Sequence, residues 1–198
     1  MSLAASPEEK DALDVLTSDY DECREQIESA DNQFWRRTLV RTMFSIIEAT
    51  NSLLKNKALQ AACSGDKASF NATRIELLQD SKYRILKNGK LEQEPRRDPF
   101  INYTAFILRT LAEESYTEAA FFAENGWNEF QKAVVVRDRL THPKQNTDVN
   151  VSDAELQSVD EALRWYYNAT ITAMGNKKFW TLDMEHHRLK PSGGPRKS

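Results

Sequence analysis

The chain has 198 residues, of which 40% are hydrophobic and 29% are charged, and these shares are ordinary for a soluble globular protein. With only six glycines and six prolines, the composition argues against a loop-rich β fold and favours long regular elements. The formal net charge of −3 excludes a generic polyanion binder, so any contact with nucleic acid requires a local basic patch.

The two cysteines, Cys23 and Cys63, lie far apart and outside any metal-binding spacing. This pattern is typical of a reducing compartment with incidental thiols. The start MSLAASPEEK contains no apolar signal segment, and no run approaches the roughly 18 apolar residues of a membrane span. We therefore expect a cytoplasmic protein that does not enter a membrane.

Three helices are predicted in the first part of the chain. The first runs from Pro7 to about Ser29, since proline and acidic residues suit a first helical turn. A second helix, from about residue 31 to 59, carries apolar residues at every third or fourth position. Gly65 interrupts the pattern, and a shorter helix is expected over 68–78.

A different pattern occupies residues 83–94, where Asn88-Gly89 lies between two short runs. This dipeptide is the strongest short-range signal for a β-hairpin. The segment predicts either a small two-stranded excursion or an irregular insert. Because a lone hairpin is marginally stable in water, we expect it to lean on the helices.

Three further helices are predicted after the hairpin. The most apolar, over 100–123, is expected to be central or to form an interface, and residues 125–126 are expected to end it. The next must end by His142, because the residue before a proline is disfavoured in the α region. A capping box at 152–155 opens the last long helix.

These elements predict an all-α fold, an antiparallel bundle of four to five helices with a possible small β-hairpin near 83–94. Short connections favour antiparallel neighbours, which is the reason for expecting a bundle. The predicted organisation is an N-terminal helix at 1–30, the helical bundle at 31–182, and a helix end with a disordered tail at 183–198.

The stretch VVVRDRLTHPKQ carries the strongest chemical signal. On a helix, Arg137 takes the next place in an apolar stripe that contains Phe130 and Val134. An arginine directed toward a packed face needs a partner, which is either a carboxylate of the same chain or a phosphate of a ligand. Its planar fork binds phosphate oxygens in pairs. Glu113 or Glu114 is the candidate internal carboxylate.

His142 follows five positions later, at the predicted C-terminus of this helix. The helix dipole favours a positively charged imidazole there, and histidine is the usual general acid or base near neutral pH. An arginine beside such a histidine suits transesterification at an RNA 2′-hydroxyl. His142 would take or position the proton and Arg137 would stabilise the phosphorane, with no metal and no cofactor required.

RDRLTH is similar to the Arg–four-residue–His motif of the HEPN superfamily (higher eukaryote and prokaryote nucleotide-binding domains). The resemblance covers the motif and the helical layout of about 30–180. It implies a HEPN-like all-α bundle acting as a metal-independent endoribonuclease in toxin–antitoxin, phage-defence or RNA-processing systems. The motif arginine and histidine correspond to Arg137 and His142, and the polar residue after the arginine to Asp138. The resemblance also implies a homodimer and a possible antitoxin or regulatory protein as partner.

Basic residues around the motif form a candidate RNA-binding patch of Lys132, Arg139 and Lys144. On the helical wheel Lys132 and Arg139 point toward solvent. The alternative is an ordinary solvated face, which is the stronger interpretation for Lys132 and Arg139 taken singly.

Two other stretches admit weaker hypotheses. DMEHHR at 183–188 contains part of a metal-ligand set, although solvated histidines at a helix end are the more common case. FWRRTLVR at 34–41 contains arginines beside aromatic residues and suits nucleotide stacking. For this second stretch, the favoured interpretation places Phe34 and Trp35 in the core and the arginines toward solvent.

Three interpretations of the motif remain open: a ribonuclease, a HEPN-like module that binds a protein or nucleotide without catalysis, and a plain helical bundle. A ribonuclease predicts that Arg137 and His142 share a solvent-reachable cleft, with a second copy opposite. A non-catalytic module predicts Arg137 locked on an internal carboxylate and His142 turned away.

Overall fold

The computed structural model describes residues 7–63, 72–79, 81–95, 98–112, 122 and 125–174. These residues are mostly helical and include six α-helices and one two-stranded hairpin. In chain order the elements are α1 (Pro7–Ala30), α2 (Gln33–Cys63), α3 (Ala72–Leu78), β1 (Ser81–Ile85), β2 (Leu91–Pro95), α4 (Phe100–Ala112), α5 (Asn125–Thr141), a 3-10 turn (Asn146–Val149) and α6 (Asp153–Ala173). The predicted all-α bundle with a small hairpin is therefore confirmed.

Side chains at the helix starts explain where two of the long helices begin. The amide oxygen of Asn32 accepts hydrogen bonds from the backbone N–H groups of Phe34 and Trp35, at 3.0 and 3.2 Å, ahead of α2. At α6 the predicted capping box is confirmed. The Ser152 N–H donates to Glu155 at 2.8 Å, and the Glu155 N–H donates to the Ser152 hydroxyl at 3.3 Å.

The hairpin also agrees with its sequence signal. Gly89 has a φ of 77°, and the Asn88 side chain accepts a hydrogen bond from the Lys90 N–H at 3.1 Å. β1 and β2 pair antiparallel, and β1 contacts α3. One face of the hairpin carries cross-strand ion pairs such as Arg84–Glu92 at 2.7 Å, while the other exposes the apolar side chains Tyr83, Ile85 and Leu91.

One hydrophobic core joins α1, α2, α4, α5 and α6. α1 contributes Leu13, Tyr20 and Cys23 to it. Its centre is aromatic: Phe130 is fully buried and its ring lies 5.1 Å from Trp165 and 6.3 Å from Tyr166, centroid to centroid. Helices α5 and α6 meet along this aromatic cluster, so the core fixes the helix that ends at the motif.

Gly126 permits the close approach of α5 to α6. A Cβ atom at this position would lie 2.5 Å from the Cβ of Trp165, inside van der Waals contact. Residues 125–126, which were expected to end the preceding helix, are the first two residues of α5, and the end of the preceding helix lies outside the described residues. Tertiary packing, not turn formation, accounts for the glycine.

A network of buried hydrogen bonds connects α2, α4 and α6. The Asn51 amide donates to the Thr104 hydroxyl at 2.9 Å, and the Tyr166 hydroxyl donates to the Asn51 carbonyl oxygen at 2.8 Å. Burial raises the pKa of Tyr166 well above its ordinary value. Because each member is deeply buried, these bonds fix the relative positions of α2, α4 and α6.

Among the described helices, none has the combination of length and apolarity that crossing a bilayer requires.

Candidate functional site

Arg137 occupies the expected place on α5, at the edge of the core. It follows Phe130 and Val134, both buried, on the same helix face. Its guanidinium carbon lies 4.7 Å from the ring centroid of Phe100 and 5.6 Å from that of Phe44. The side chain is 27% exposed. The guanidinium therefore lies against two aromatic rings, while part of the side chain reaches solvent.

Two carboxylates bind the guanidinium. Arg137 donates from Nη2 to Glu48 Oε1 at 2.5 Å and from Nη1 to Asp138 Oδ1 at 3.1 Å. Both carboxylates are accessible, with the Glu48 side chain 50% and the Asp138 side chain 60% exposed. The internal partner that the sequence demanded is thus present. It is Glu48, which the sequence argument missed.

The candidates named for that partner, Glu113 and Glu114, lie outside the described residues. A signal for Glu48 did exist in the sequence. Glu48 follows Phe44 by four residues, so the two share one face of α2. An acidic residue on the apolar side of a helix is a natural partner for an arginine on the apolar side of another.

His142 lies directly after α5, yet its backbone continues the helical hydrogen-bonding pattern. The His142 N–H donates to the Asp138 carbonyl at 2.9 Å, and the side chain is exposed. Within the described part of the chain, the imidazole makes no hydrogen bond or ion pair. Arg137, Asp138 and His142 therefore follow one another along the final turns of a single helix, and the imidazole faces solvent.

The loop after His142 is organised by Asp148. Its Oδ2 accepts the backbone N–H groups of Lys144, at 2.7 Å, and Gln145, at 3.1 Å. These hydrogen bonds lower the pKa of the Asp148 carboxyl below its ordinary value, and the bond from the Lys144 N–H has the largest effect. The loop therefore has defined backbone positions immediately beyond the motif histidine.

Asp148→Asn is expected to loosen this loop, because a neutral amide is a weaker acceptor for two N–H groups than a carboxylate. Amide hydrogen exchange at Lys144 and Gln145 should accelerate in the variant. A carboxyl whose folded pKa is lowered stabilises the fold above its unfolded pKa, near 3.9, and this contribution disappears as pH falls through the folded value. Protection in the wild type should therefore fade on acidification. Unchanged exchange in Asp148→Asn would contradict the assignment.

Arg139 differs from the expectation of a solvent-facing side chain. Its guanidinium donates to the backbone carbonyls of Thr147 and Asn150, at 3.3 and 2.8 Å, and forms an ion pair with Glu155 at 2.6 Å. Arg139 thus ties the end of α5 to the loop and to the start of α6. RNA binding by this residue stays a prediction.

The other two residues of the basic patch are accessible. Lys132 is exposed, as expected, and forms an ion pair with Glu129 at 2.6 Å. Hydrogen bonds from Lys132 and then Ser158 lower the pKa of Glu129. Lys144 is exposed and takes part in the loop through its backbone N–H. RNA binding by Lys132 and Lys144 also stays a prediction.

Two arginines of α2 also bind the loop between α5 and α6. Arg37 donates to the Val149 carbonyl at 3.2 Å, and Arg36 donates to the Val151 carbonyl at 2.8 Å and binds Asp31 and Asp153. The favoured interpretation of the stretch 34–41 is only partly right. Trp35 packs against the core, but Phe34 is 59% exposed and these arginines have partners within the chain.

A polar surface cavity of about 750 Å³ lies between α2, this loop and the start of α6. Its two arginines, Arg36 and Arg139, are both bound to carboxylates and carbonyls. Arg137 does not line this cavity. The arginines of this cavity therefore have a structural role. The candidate site is the surface around Arg137 and His142.

The weak metal hypothesis for 183–188 lies outside the described residues. Comparisons of the chain with protein-family models, with curated proteins and with solved structures found no match. Function must therefore be argued from the site itself.

Proposed function

We propose that this protein is a HEPN-like endoribonuclease that cleaves RNA by 2′-hydroxyl transesterification without a metal ion. The observation that supports it is the placement of Arg137. Its guanidinium rests on the rings of Phe44 and Phe100 at the surface, in the last turns of the helix that ends beside the exposed His142. A cation and a titratable group are what cleavage at a phosphodiester needs.

In the proposed reaction, the ribose 2′-oxygen attacks the adjacent phosphorus. The new P–O2′ bond forms as the P–O5′ bond breaks, leaving a 2′,3′-cyclic phosphate and a free 5′-hydroxyl. His142 accepts the 2′-hydroxyl proton or directs its transfer, and a water molecule donates a proton to the departing 5′-oxygen. Arg137 binds the non-bridging oxygens, on which negative charge grows in the transition state.

Asp138 acts on Arg137 in this scheme. Its carboxylate accepts a hydrogen bond from Nη1 at 3.1 Å, which restricts the rotation of the guanidinium. Around this centre, exposed Lys132 and Lys144 attract the RNA backbone. Arg139 contributes by holding the loop that follows His142.

The biological setting forms part of the same proposal. The protein would act in the cytoplasm as a homodimer, in a toxin or phage-defence role, with RNA as substrate and an antitoxin or other regulatory protein as partner. A toxin needs such restraint because unregulated RNA cleavage harms the cell that makes it.

The test is incubation of the purified chain with total RNA in the presence of EDTA. Cleavage that persists in EDTA and leaves 2′,3′-cyclic phosphate ends is the expected result. Arg137→Ala and His142→Ala serve as the comparison variants. Cleavage that is equal in both variants and the wild type would remove the catalytic assignment.

A second candidate function is a non-catalytic HEPN-like module that binds a protein or nucleotide. The observation that favours it is the pairing of both terminal nitrogens of Arg137 with carboxylates. A guanidinium neutralised in this way is a structural group unless a ligand displaces a carboxylate. Absence of cleavage by the wild type on any RNA, together with retained RNA or protein binding, would favour this function.

A further inference from the structure

We infer that Glu48 is a built-in competitor for the anion site of Arg137. Its carboxylate accepts a hydrogen bond from Nη2, one of the two terminal nitrogens that a bidentate grip on a phosphodiester would use, so the two anions compete for this nitrogen. The inference rests on the proposed function, because it concerns the regulation of the same site.

Two aromatic rings limit access to the guanidinium of Arg137. Its central carbon lies over the rings of Phe100 and Phe44, 4.7 and 5.6 Å from their centroids. Hydrogen bonds of a guanidinium lie in its plane, along its edges. An incoming anion must therefore bind at an edge, where Glu48 and Asp138 already accept hydrogen bonds.

A phosphate and the two carboxylates draw on the same terminal nitrogens of Arg137. A bidentate grip on phosphate requires two N–H groups of the fork. Nη1 donates to Asp138 and Nη2 donates to Glu48, so each terminal nitrogen already has an anionic partner. A phosphate that binds both terminal nitrogens meets the Glu48 carboxylate at Nη2.

Of the two carboxylates, Glu48 is the one that reaches Arg137 from a different helix. Asp138 is the next residue on the same helix, whereas Glu48 comes from α2, 89 positions away in the chain. At 50% exposure the Glu48 side chain has room to turn into solvent. Its carboxylate can therefore exchange with a phosphate without disturbing the core.

The size of the effect follows from the strength of such pairs. Exposed ion pairs are weak, so the competition is expected to lower the affinity for a phosphodiester by no more than about fivefold. Glu48→Gln keeps the shape of the side chain and removes its charge. This variant is therefore expected to bind a phosphodiester about two- to fivefold more tightly than the wild type.

The experiment measures Kd by fluorescence anisotropy with a single-stranded RNA oligonucleotide that carries 2′-O-methyl groups. Such an RNA cannot be cleaved through its 2′-oxygen, so binding is read apart from catalysis. The proteins are wild type, Glu48→Gln, Arg137→Ala and the double variant. Glu92→Gln is the matched control, because Glu92 is an exposed glutamate paired with an arginine at 2.7 Å, far along the chain in the hairpin.

The expected result is tighter binding by Glu48→Gln, no gain in the Arg137→Ala background, and no gain in Glu92→Gln. Three results would overturn the inference: a Kd equal to that of Glu92→Gln, a gain that persists without Arg137, or weaker binding, which would make Glu48 a positioning residue.

Failure of the proposed function is separable from failure of this inference. Cleavage is measured in parallel with an unmodified RNA of the same sequence. An Arg137-dependent gain of affinity in Glu48→Gln, without any cleavage by the wild type, supports the competition and rejects the nuclease. Cleavage by the wild type with no gain in Glu48→Gln supports the nuclease and rejects the competition.

Discussion

Replacing His142 by alanine is expected to slow RNA cleavage by about 100- to 10,000-fold, the usual contribution of general acid–base catalysis. The thermal unfolding temperature should not change, because the side chain is exposed and makes no hydrogen bond or ion pair within the described residues. The measurement is the initial rate on a labelled RNA in EDTA, with unfolding followed by circular dichroism. Loss of activity with an intact fold separates a chemical role from a structural one.

Variants of Arg137 test whether the guanidinium also contributes to the rate of RNA cleavage. Arg137→Ala should lower the rate by about 100- to 1,000-fold, the effect of removing one donor to a developing oxyanion. Arg137→Lys should recover little of this loss, since an ammonium lacks the planar fork. The control is Asn128→Ala, an exposed position at the other end of α5. A rate for His142→Ala equal to that of Asn128→Ala would reject the catalytic histidine.

Gly126→Ala is expected to reduce the free energy of unfolding by roughly 3 kcal/mol, the upper end of the range for overpacking. The added methyl group would lie 2.5 Å from Trp165 Cβ and 2.7 Å from two atoms of its indole ring. A Cβ is anchored to the backbone, so α5 and α6 must separate to relieve the contact. For a chain of this size the loss corresponds to roughly 6–12 °C in Tm.

Differential scanning calorimetry of wild type, Gly126→Ala and Asn128→Ala measures this effect. Alanine favours helix over both glycine and asparagine, so propensity alone predicts that each substitution is neutral or stabilising. A lower Tm for Gly126→Ala, together with an unchanged or higher Tm for Asn128→Ala, would therefore attribute the loss of stability to the contact with Trp165. A Tm for Gly126→Ala at or above that of Asn128→Ala would mean that the helices do not pack this closely.

Much of the architecture was predictable because it depends on local rules. The helix over Pro7–Ala30, the capping box at Ser152 and the Asn88-Gly89 turn all express backbone preferences of a few neighbouring residues. Apolar periodicity identified α2 in the same way. In contrast, the packing role of Gly126 was not predictable, since a glycine at a helix–helix contact and a glycine at a helix end look alike in one sequence.

The candidate site was predictable in part for the same reason. The apolar stripe placed Arg137 at the edge of the core and required a partner for it, and both expectations are confirmed. The spacing of Glu48 from Phe44 hinted at the identity of the partner but did not decide it, because the packing of two helices brings Glu48 to Arg137. Arg139 shows the same limit: the helical wheel directed it to solvent, but the loop folds back over it.

By itself, then, the sequence determined which segments are helical, where several of them begin, and which face of α5 bears a cation. These properties follow from interactions within a few residues along the chain. Only the tertiary structure decided which carboxylate binds that cation, which aromatic rings support it, and why Gly126 must be small. Each of those depends on contacts between helices distant in sequence, whose register is set by the packing of the whole core.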